Sequence, residues 1–291
     1  MKVVVTGGLG KLGQYVVRAL TDSTDGREGH QVTVFDAVKG PEDGPVYYLP
    51  GNVLDLGQVF EALAGADAVI HLAAIRKHGI ATNDLVFRTN VMGTFHVHEA
   101  AWRLGIRRVV LASSESIMGW DYCERPFLPQ YLPIDEEHPV CPQDSYSLSK
   151  QLGEATGRSY TAKGEMETVA LRFPWVVVPA ELERLRREGG QPTSRFRLCN
   201  YIDVRDLAEA FRLAVERPLC GHHTLHVCAD DSRVAEPLCE LFPRLLPEIG
   251  DLARELTGSR PSVTNARAKH VLGWQPRHSW RRPADELPAP A

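Results

Sequence analysis

The sequence predicts an α/β protein, a doubly wound parallel sheet with a small C-terminal substrate lobe. Three observations predict it. Short β-branched runs alternate with amphipathic stretches through the first two thirds of the chain, and a β-α-β-α order buries its strands between two layers of helix. The first run, VVVT, passes directly into a glycine turn, TGGLGKLG at residues 6–13, that opens a helix. The chain has 291 residues and is 43% hydrophobic, which suits one large core, or one core with a small appendage.

The elements follow in order. VVVT is the first strand, and residues 11–20 form the helix after it. TDSTDGREGH (21–30) is polar and turn-rich, a surface loop that postpones the second strand, VTVFD (32–36). A helix near 58–63, the strand AVIHLAA (68–74), a helix through 90–104 and the strand RVVLASS (108–114) come next. A helix carrying YSLSK (146–150) and the strand TVALRF (168–173) complete the alternation. The Pro-rich stretch 125–142 lies between core elements and reads as an ordered loop near the site, whereas 283–291 is terminal and reads as a frayed tail. Between 175 and 197, and again after 230, the alternation lapses. The expected division is therefore a nucleotide-binding domain over 1–174, to which 200–230 return, and a substrate lobe and tail from 175–199 and 231–291. Near the end, SVTNARAKHVLGWQPRHSW (262–280) reads as a helix closed by Gly273, with Trp274 as a structural anchor. There are no internal repeats.

Composition excludes several classes. With 33 Lys and Arg against 37 Asp and Glu the net charge is -4, so no basic surface for nucleic acid is expected. The start MKVVVTGG lacks the apolar run of a signal peptide, and no stretch approaches 18 uninterrupted apolar residues. No membrane partner is expected, and the cytoplasm is the expected location. Six cysteines without C-x-x-C spacing suit reduced thiols rather than a metal site or a disulfide frame.

The glycine turn places Gly7, Gly10 and Gly13 in the spacing G-x-x-G-x-x-G. Glycine serves there because the turn is tight and backbone must closely approach a pyrophosphate, which the helix amides at Lys11, Leu12 and Gly13 then face. Asp36 ends the second strand 23 residues after Gly13, near the spacing at which a carboxylate accepts hydrogen bonds from an adenosine ribose. A carboxylate repels the 2′-phosphate of NADP, so NAD is the expected cofactor, with Lys39 the one nearby feature that speaks for NADP. The architecture is accordingly Rossmann-type.

In YSLSK, Tyr146 and Lys150 stand four apart and share a helix face. Such a pair permits acid–base chemistry but does not by itself establish it. Taken in order, TGGLGKLG, GNVLDL (51–56), HLAA (71–74), NVMGT (90–94), LASSESIMG (111–119) and YSLSK resemble the extended short-chain dehydrogenase/reductases, the NAD-dependent epimerase/dehydratase group. The resemblance covers residues 1–230. It implies that Tyr146 is the catalytic acid/base, that Lys150 holds the nicotinamide ribose and lowers the tyrosine pKa, and that Ser114 binds the reacting oxygen with Ser113 in support. A cation about 4 Å from a phenol, at an effective dielectric near 20, contributes on the order of 4 kcal/mol, which would bring its pKa from about 10 to near 7. The resemblance also implies that Asn52 and Val53 flank the adenine, and that Leu72, Ala73, Ala74 and Pro174 line the cofactor. Asn90 is either the family's active-site asparagine, counted with the cofactor residues, or a buried helix-cap residue. His71, in an apolar strand, reads as a satisfied core histidine.

Where the family's dehydratases carry an Asp-Glu pair, this chain has Glu115 and Ser116, so dehydration is not expected. Where its nucleotide-sugar epimerases carry a diphosphate arginine, Cys199 stands here, with Arg195 and Arg197 as the nearest substitutes. The arrangement resembles the uronate dehydrogenases, in which Arg76, Ser114, Glu115, Ser116, Trp175 and Arg195 or Arg197 fall at substrate-contact positions. Arginine can clamp a carboxylate, whereas Glu115 favours neutral hydroxyls. Trp175 is equally readable as core and Arg76 as a solvated side chain. The expected function is NAD-dependent oxidation of a hydroxyl of a small sugar or sugar-acid-like substrate. The alternatives are a nucleotide-sugar 4-epimerase and an NAD-binding regulatory protein without turnover. Family members pair through the tyrosine helix and the long helix before it, so a homodimer is expected, with Val91, Phe95 and Val97 as candidate contacts.

Overall fold

The structure is a computed structural model describing residues 1–23, 28–41, 44–76, 79–192 and 197–282. Arg195, much of the loop 21–30 and the tail 283–291 lie outside the described residues. In chain order the first elements are β1 (Lys2–Thr6), α1 (Lys11–Thr21), β2 (Gln31–Asp36), β3 (Tyr47–Pro50), α2 (Leu56–Leu63), β4 (Ala68–His71), α3 (Asn83–Arg103) and β5 (Arg108–Ala112). They are followed by α4 (Ser145–Thr161), β6 (Glu167–Arg172), β7 (Trp175–Val177), α5 (Pro179–Glu188), β8 (Tyr201–Asp203), α6 (Val204–Glu216) and β9 (His222–His226), then α7 (Leu238–Leu245) and α8 (Ala266–Leu272).

Seven strands form one parallel sheet in the order β3-β2-β1-β4-β5-β6-β9, while β7 and β8 pair separately. The expected doubly wound α/β sheet is present. The order reverses beside β1, whose two neighbours are β2 and β4, so the crevice beyond the strand ends opens there. Both faces are covered, which explains the unbroken apolar runs. Val3 and Val5 pack into a layer with α1, α6 and Trp274, while Val4 between them packs with residues of α2 and α3.

Helix starts follow local side chains. Asp144 caps α4 by accepting from the amides of Tyr146 and Ser147 at 2.9 and 3.0 Å. Thr82 caps α3, so that helix begins seven residues before Asn90, where the sequence pattern alone had placed it. After α8, Gly273 turns the chain with φ +65°, and fully buried Trp274 donates its indole N–H to the Asp206 carbonyl at 2.8 Å. A further apolar core joins Ile117, Met118, Trp120 and Ile134 to Val234, Leu238, Phe242 and Val263. The Pro-rich segment before α4 thus shares a core with the C-terminal region and lies over the strand ends.

Candidate active site

The glycine turn sits at the reversal of the sheet. Gly7 has φ +73°, and a Cβ there would stand 2.7 Å from the backbone nitrogen of Ala73. Only glycine lets the turn after β1 lie against the strand end of β4. The Thr6 hydroxyl accepts the Ala73 amide at 3.2 Å and meets His71 Nδ1 at 2.7 Å, and His71 Nε2 meets the Thr94 hydroxyl at 3.2 Å. Burial, with Lys150 and His98 adding to it, drives the His71 pKa well below its ordinary value. It is the neutral core histidine that the sequence indicated. Asp36 reaches the same turn, its carboxylate accepting from Leu9 N at 3.0 Å and Val38 N at 3.2 Å. A bare backbone turn over the start of α1, flanked by a carboxylate at the end of β2, fits the pyrophosphate and ribose of a dinucleotide.

Val53 is buried and Asn52 exposed, its side-chain oxygen accepting Leu54 N at 2.9 Å. Leu72, Ala73, Ala74 and Pro174 are half-buried. Asn90 is buried and fully engaged. Its oxygen accepts Ile75 N at 2.8 Å, and its amide donates to the Ile75 carbonyl at 3.1 Å and the Ser149 hydroxyl at 3.0 Å. Asn90 stands inside α3 and not at a helix end, so the helix-cap reading does not hold; its bonds instead pin the loop after β4 to α4. Lys11 turns away from the glycine loop to pair with Glu181 of α5 at 2.7 Å, a link the sequence did not indicate.

Tyr146 and Lys150 lie one turn apart on α4, both buried. Lys150 Nζ is 5.7 Å from the Tyr146 ring centre and donates to the Ala112 carbonyl at 2.8 Å. The Ser114 hydroxyl hydrogen-bonds the phenol. The expectation of a phenol near neutrality is corrected here. Burial raises the Tyr146 pKa, the Ser114 hydrogen bond opposes it, and Tyr122, Asp144 and Asp121 add to the rise. Lys150 is not among the groups that shift the phenol; its ammonium donates to the Ala112 carbonyl, and burial lowers its own pKa to about 8. Behind Ser114, the Ser113 hydroxyl donates to Glu154 at 2.6 Å, and Arg172 grips the same carboxylate at 2.9 and 2.8 Å. This buried pair fixes the ends of β5 and β6 against α4.

Of the expected substrate residues, Ser114, Glu115 and Ser116 form one buried run, held by Glu115 N donating to the Phe173 carbonyl at 3.0 Å. Arg197 is half-buried, Trp175 is 39% exposed rather than packed in the core, and Arg76 is exposed. The structure adds Asp121 and Arg233, which no motif marked, and Asn200, which opens the segment NYIDVRDLAEAF (200–211) but carries no marked role there. Asn200 donates to Glu115 at 2.7 Å, and the charges of Arg197 and Arg233 bear on Asp121. Burial and the charge of Asp121 raise the Glu115 pKa to about 8, against the hydrogen bond from Asn200 and the charge of Arg233.

A parallel sheet that reverses beside a bare glycine turn, with a serine after β5 facing a tyrosine and a lysine on α4, is the arrangement of a dinucleotide-dependent enzyme. The family model for the NAD dependent epimerase/dehydratase family matches residues 3–227, and the chain belongs to that family. It is similar to L-arabinose 1-dehydrogenase (NAD(P)(+)) of Haloferax volcanii, 29% identical over 230 residues that cover 75% of this chain and 84% of the relative. It is also similar to uronate dehydrogenase of Pseudomonas putida, 25% identical over 238 residues, covering 80% and 78%. Among solved structures, a short-chain dehydrogenase/reductase superfamily protein from Agrobacterium tumefaciens with bound NAD superposes with a TM-score of 0.71 at 27% identity, covering 97% of this chain and 94% of that one.

Proposed function

We propose that this enzyme is a dehydrogenase that oxidises a hydroxyl of a small sugar or sugar-acid-like substrate with NAD. The observation that carries the reading is the buried Ser114–Tyr146 hydroxyl pair beside Lys150, at the mouth of the crevice that the glycine turn opens. Gly7, Gly10 and Gly13, the backbone amides of Lys11 and Leu12, and Asp36 would hold the dinucleotide; Val53, Leu72, Ala73, Ala74 and Pro174 would line it. NAD, when bound, supplies the hydride acceptor and a positive ring that favours the phenolate. Tyr146 takes the proton of the substrate hydroxyl at its Oη, and Ser114 hydrogen-bonds the same oxygen as it becomes a carbonyl. Lys150 keeps a cation beside the phenol and a bond to Ala112 that fixes its direction.

Two relatives named as sugar and sugar-acid dehydrogenases support the substrate class. The loss of the diphosphate arginine at Cys199 argues against a nucleotide sugar. Incubation with NAD and a panel of aldoses, uronic acids and sugar nucleotides tests the proposal. NADH accumulating in proportion to an aldose or a uronate is the expected result. Interconversion of sugar nucleotides without net NADH would replace the dehydrogenase with a 4-epimerase.

The proposal includes a homodimer. Leu85, Phe87, Met92 and Phe95 on α3 and Leu148 on α4 are exposed apolar side chains, whereas Val97, an expected contact, is buried in the core. A monomer by light scattering at micromolar concentration would refute pairing. Cytoplasmic residence is also proposed, supported by six unpaired cysteines. Among the described residues no helix is long and apolar enough to cross a membrane.

A further inference from the structure

We propose that Tyr122 is a positioning residue for the reaction: set at right angles against Tyr146 on a loop locked to the start of α4, its ring holds the phenol on Ser114 and screens it from water. The inference rests on the acid/base reading of Tyr146 above and adds a residue that no motif marks.

The segment between β5 and α4 turns back on itself soon after Ser114. Gly119 has φ +97°, and a Cβ there would stand 2.1 Å from the carbonyl oxygen of Cys141, so only glycine lets the two ends of the segment touch. The Cys141 N–H donates to the Ile117 carbonyl at 3.1 Å across the same junction. Beyond it the loop closes on a stack: the buried Trp120 ring lies 4.6 Å from that of Phe127 at 22°, and its indole N–H donates to the Phe127 carbonyl at 2.9 Å. Gln143 fastens the tip. Its side-chain oxygen accepts the amides of Glu124 and Arg125 at 3.1 and 3.0 Å, and its own amide donates to the Arg125 carbonyl at 3.0 Å. The next residue is Asp144, the cap of α4, so the loop carrying Tyr122 and the helix carrying Tyr146 are held as one piece.

Between these fixings Tyr122 is half-buried, and its ring stands 6.4 Å from that of Tyr146 with the planes at 89°, the perpendicular arrangement that aromatic pairs favour. Lys150 Nζ lies against the same phenol ring at 5.7 Å. A ring held by both neighbours keeps its oxygen on Ser114, and a reacting group displaced by about 1 Å can lose about a hundredfold in rate. The groups around the phenol are Lys150 on its own helix, Asp144 at the helix cap, Ser114 after β5, and Asp121 and Tyr122 on the loop, with neutral His71 behind Lys150. Tyr122 covers the phenol without adding a charge, its own pKa raised by burial and by Asp121 and Asp144 against Arg197. Burial leads the causes that raise the Tyr146 pKa, so uncovering the ring lowers it.

The test follows NADH formation against pH with saturating NAD and, as probes, L-arabinose and D-glucuronate. Tyr122→Leu is expected to lower kcat about tenfold with KM within about twofold of wild type. It should also move the alkaline rise of kcat/KM, which reports the phenol ionising, down by about one pH unit. Tyr122→Phe keeps the ring and should restore both. A purely structural loss would depress the rate without moving the profile. Gln143→Ala unfastens the loop and should show the same two changes at smaller size, about threefold in kcat, and it decides alone should Tyr122→Leu fail to fold. An unmoved profile, or Tyr122→Phe as impaired as Tyr122→Leu, would overturn the positioning role and leave Tyr146 as the acid/base. Tyr146→Phe retaining the alkaline rise, or absence of NADH from both probes, would overturn the reading beneath it and this inference with it.

Discussion

At the nucleotide end of the crevice the important groups come from one continuous stretch and the strand after it, Gly7 to Gly13 and Asp36, and most of them act through backbone. At the substrate end they come from four stretches, 114–121, Asp144 with Tyr146, 197–200 and Arg233, and act through side chains. The first end works by leaving room: a Cβ at Gly7 would press on the backbone of Ala73. The second works by holding charge out of water, with Glu115 buried against Asn200 and close to Asp121. A local motif suffices for the first. The second exists only where the chain crosses itself.

The contrast can be broken at several points, the most severe first. Tyr146→Phe, at the junction of the two ends, is expected to lower kcat by about a thousandfold while leaving NAD affinity, measured by fluorescence titration, as it was. A variant keeping most of its rate would remove the acid/base role. Gly7→Ala meets backbone at 2.7 Å with φ +73°, and should cost about 2–3 kcal/mol in stability and at least tenfold in NAD affinity. Calorimetry and titration showing wild-type values would mean the turn has slack.

A smaller effect is expected from Glu115→Gln. The folded chain holds the Glu115 proton up to about 8, against an ordinary value of 4.5. Across that window the native state binds the extra proton, so stability falls as pH rises through it. Glutamine removes the slope, and the melting temperature of the variant should overtake that of wild type towards alkaline pH. Parallel pH profiles would show Glu115 ionised throughout. Smallest is Glu181→Gln, which frees Lys11 from a half-exposed pair worth about 0.2–1 kcal/mol. NAD binding should tighten by about two- to fivefold as the ammonium turns to the pyrophosphate. Weaker binding would instead mean that the pair holds the two ends in register.

Legibility in the sequence followed the same divide. VVVT, VTVFD and RVVLA announced central strands because both faces of a parallel sheet are buried. The edge strands β3 and β9 went unannounced, for each has one sheet neighbour and they read YYLP and HHTLH. In β9 the polar residues are accommodated by pairing, His222 meeting the Thr168 hydroxyl at 2.6 Å. Ser114, Tyr146 and Lys150 were legible as an ordered motif. Asp121 and Arg233 carried no local signal, Asn200 lay in a recognisable strand-helix segment without a marked role, and the positive φ of Cys199 beside it has no compositional mark.

The sequence by itself determined the parallel sheet, the glycine turn with its carboxylate partner, and the tyrosine and lysine on one helical face, because each depends on spacings of a few residues within one element or two neighbouring ones. Tertiary structure alone decided how acidic the phenol is, where Lys150 spends its hydrogen bond, and which charges oppose one another around the substrate. Those are properties of burial and of distances between segments far apart in the chain, and neither is encoded in any single stretch.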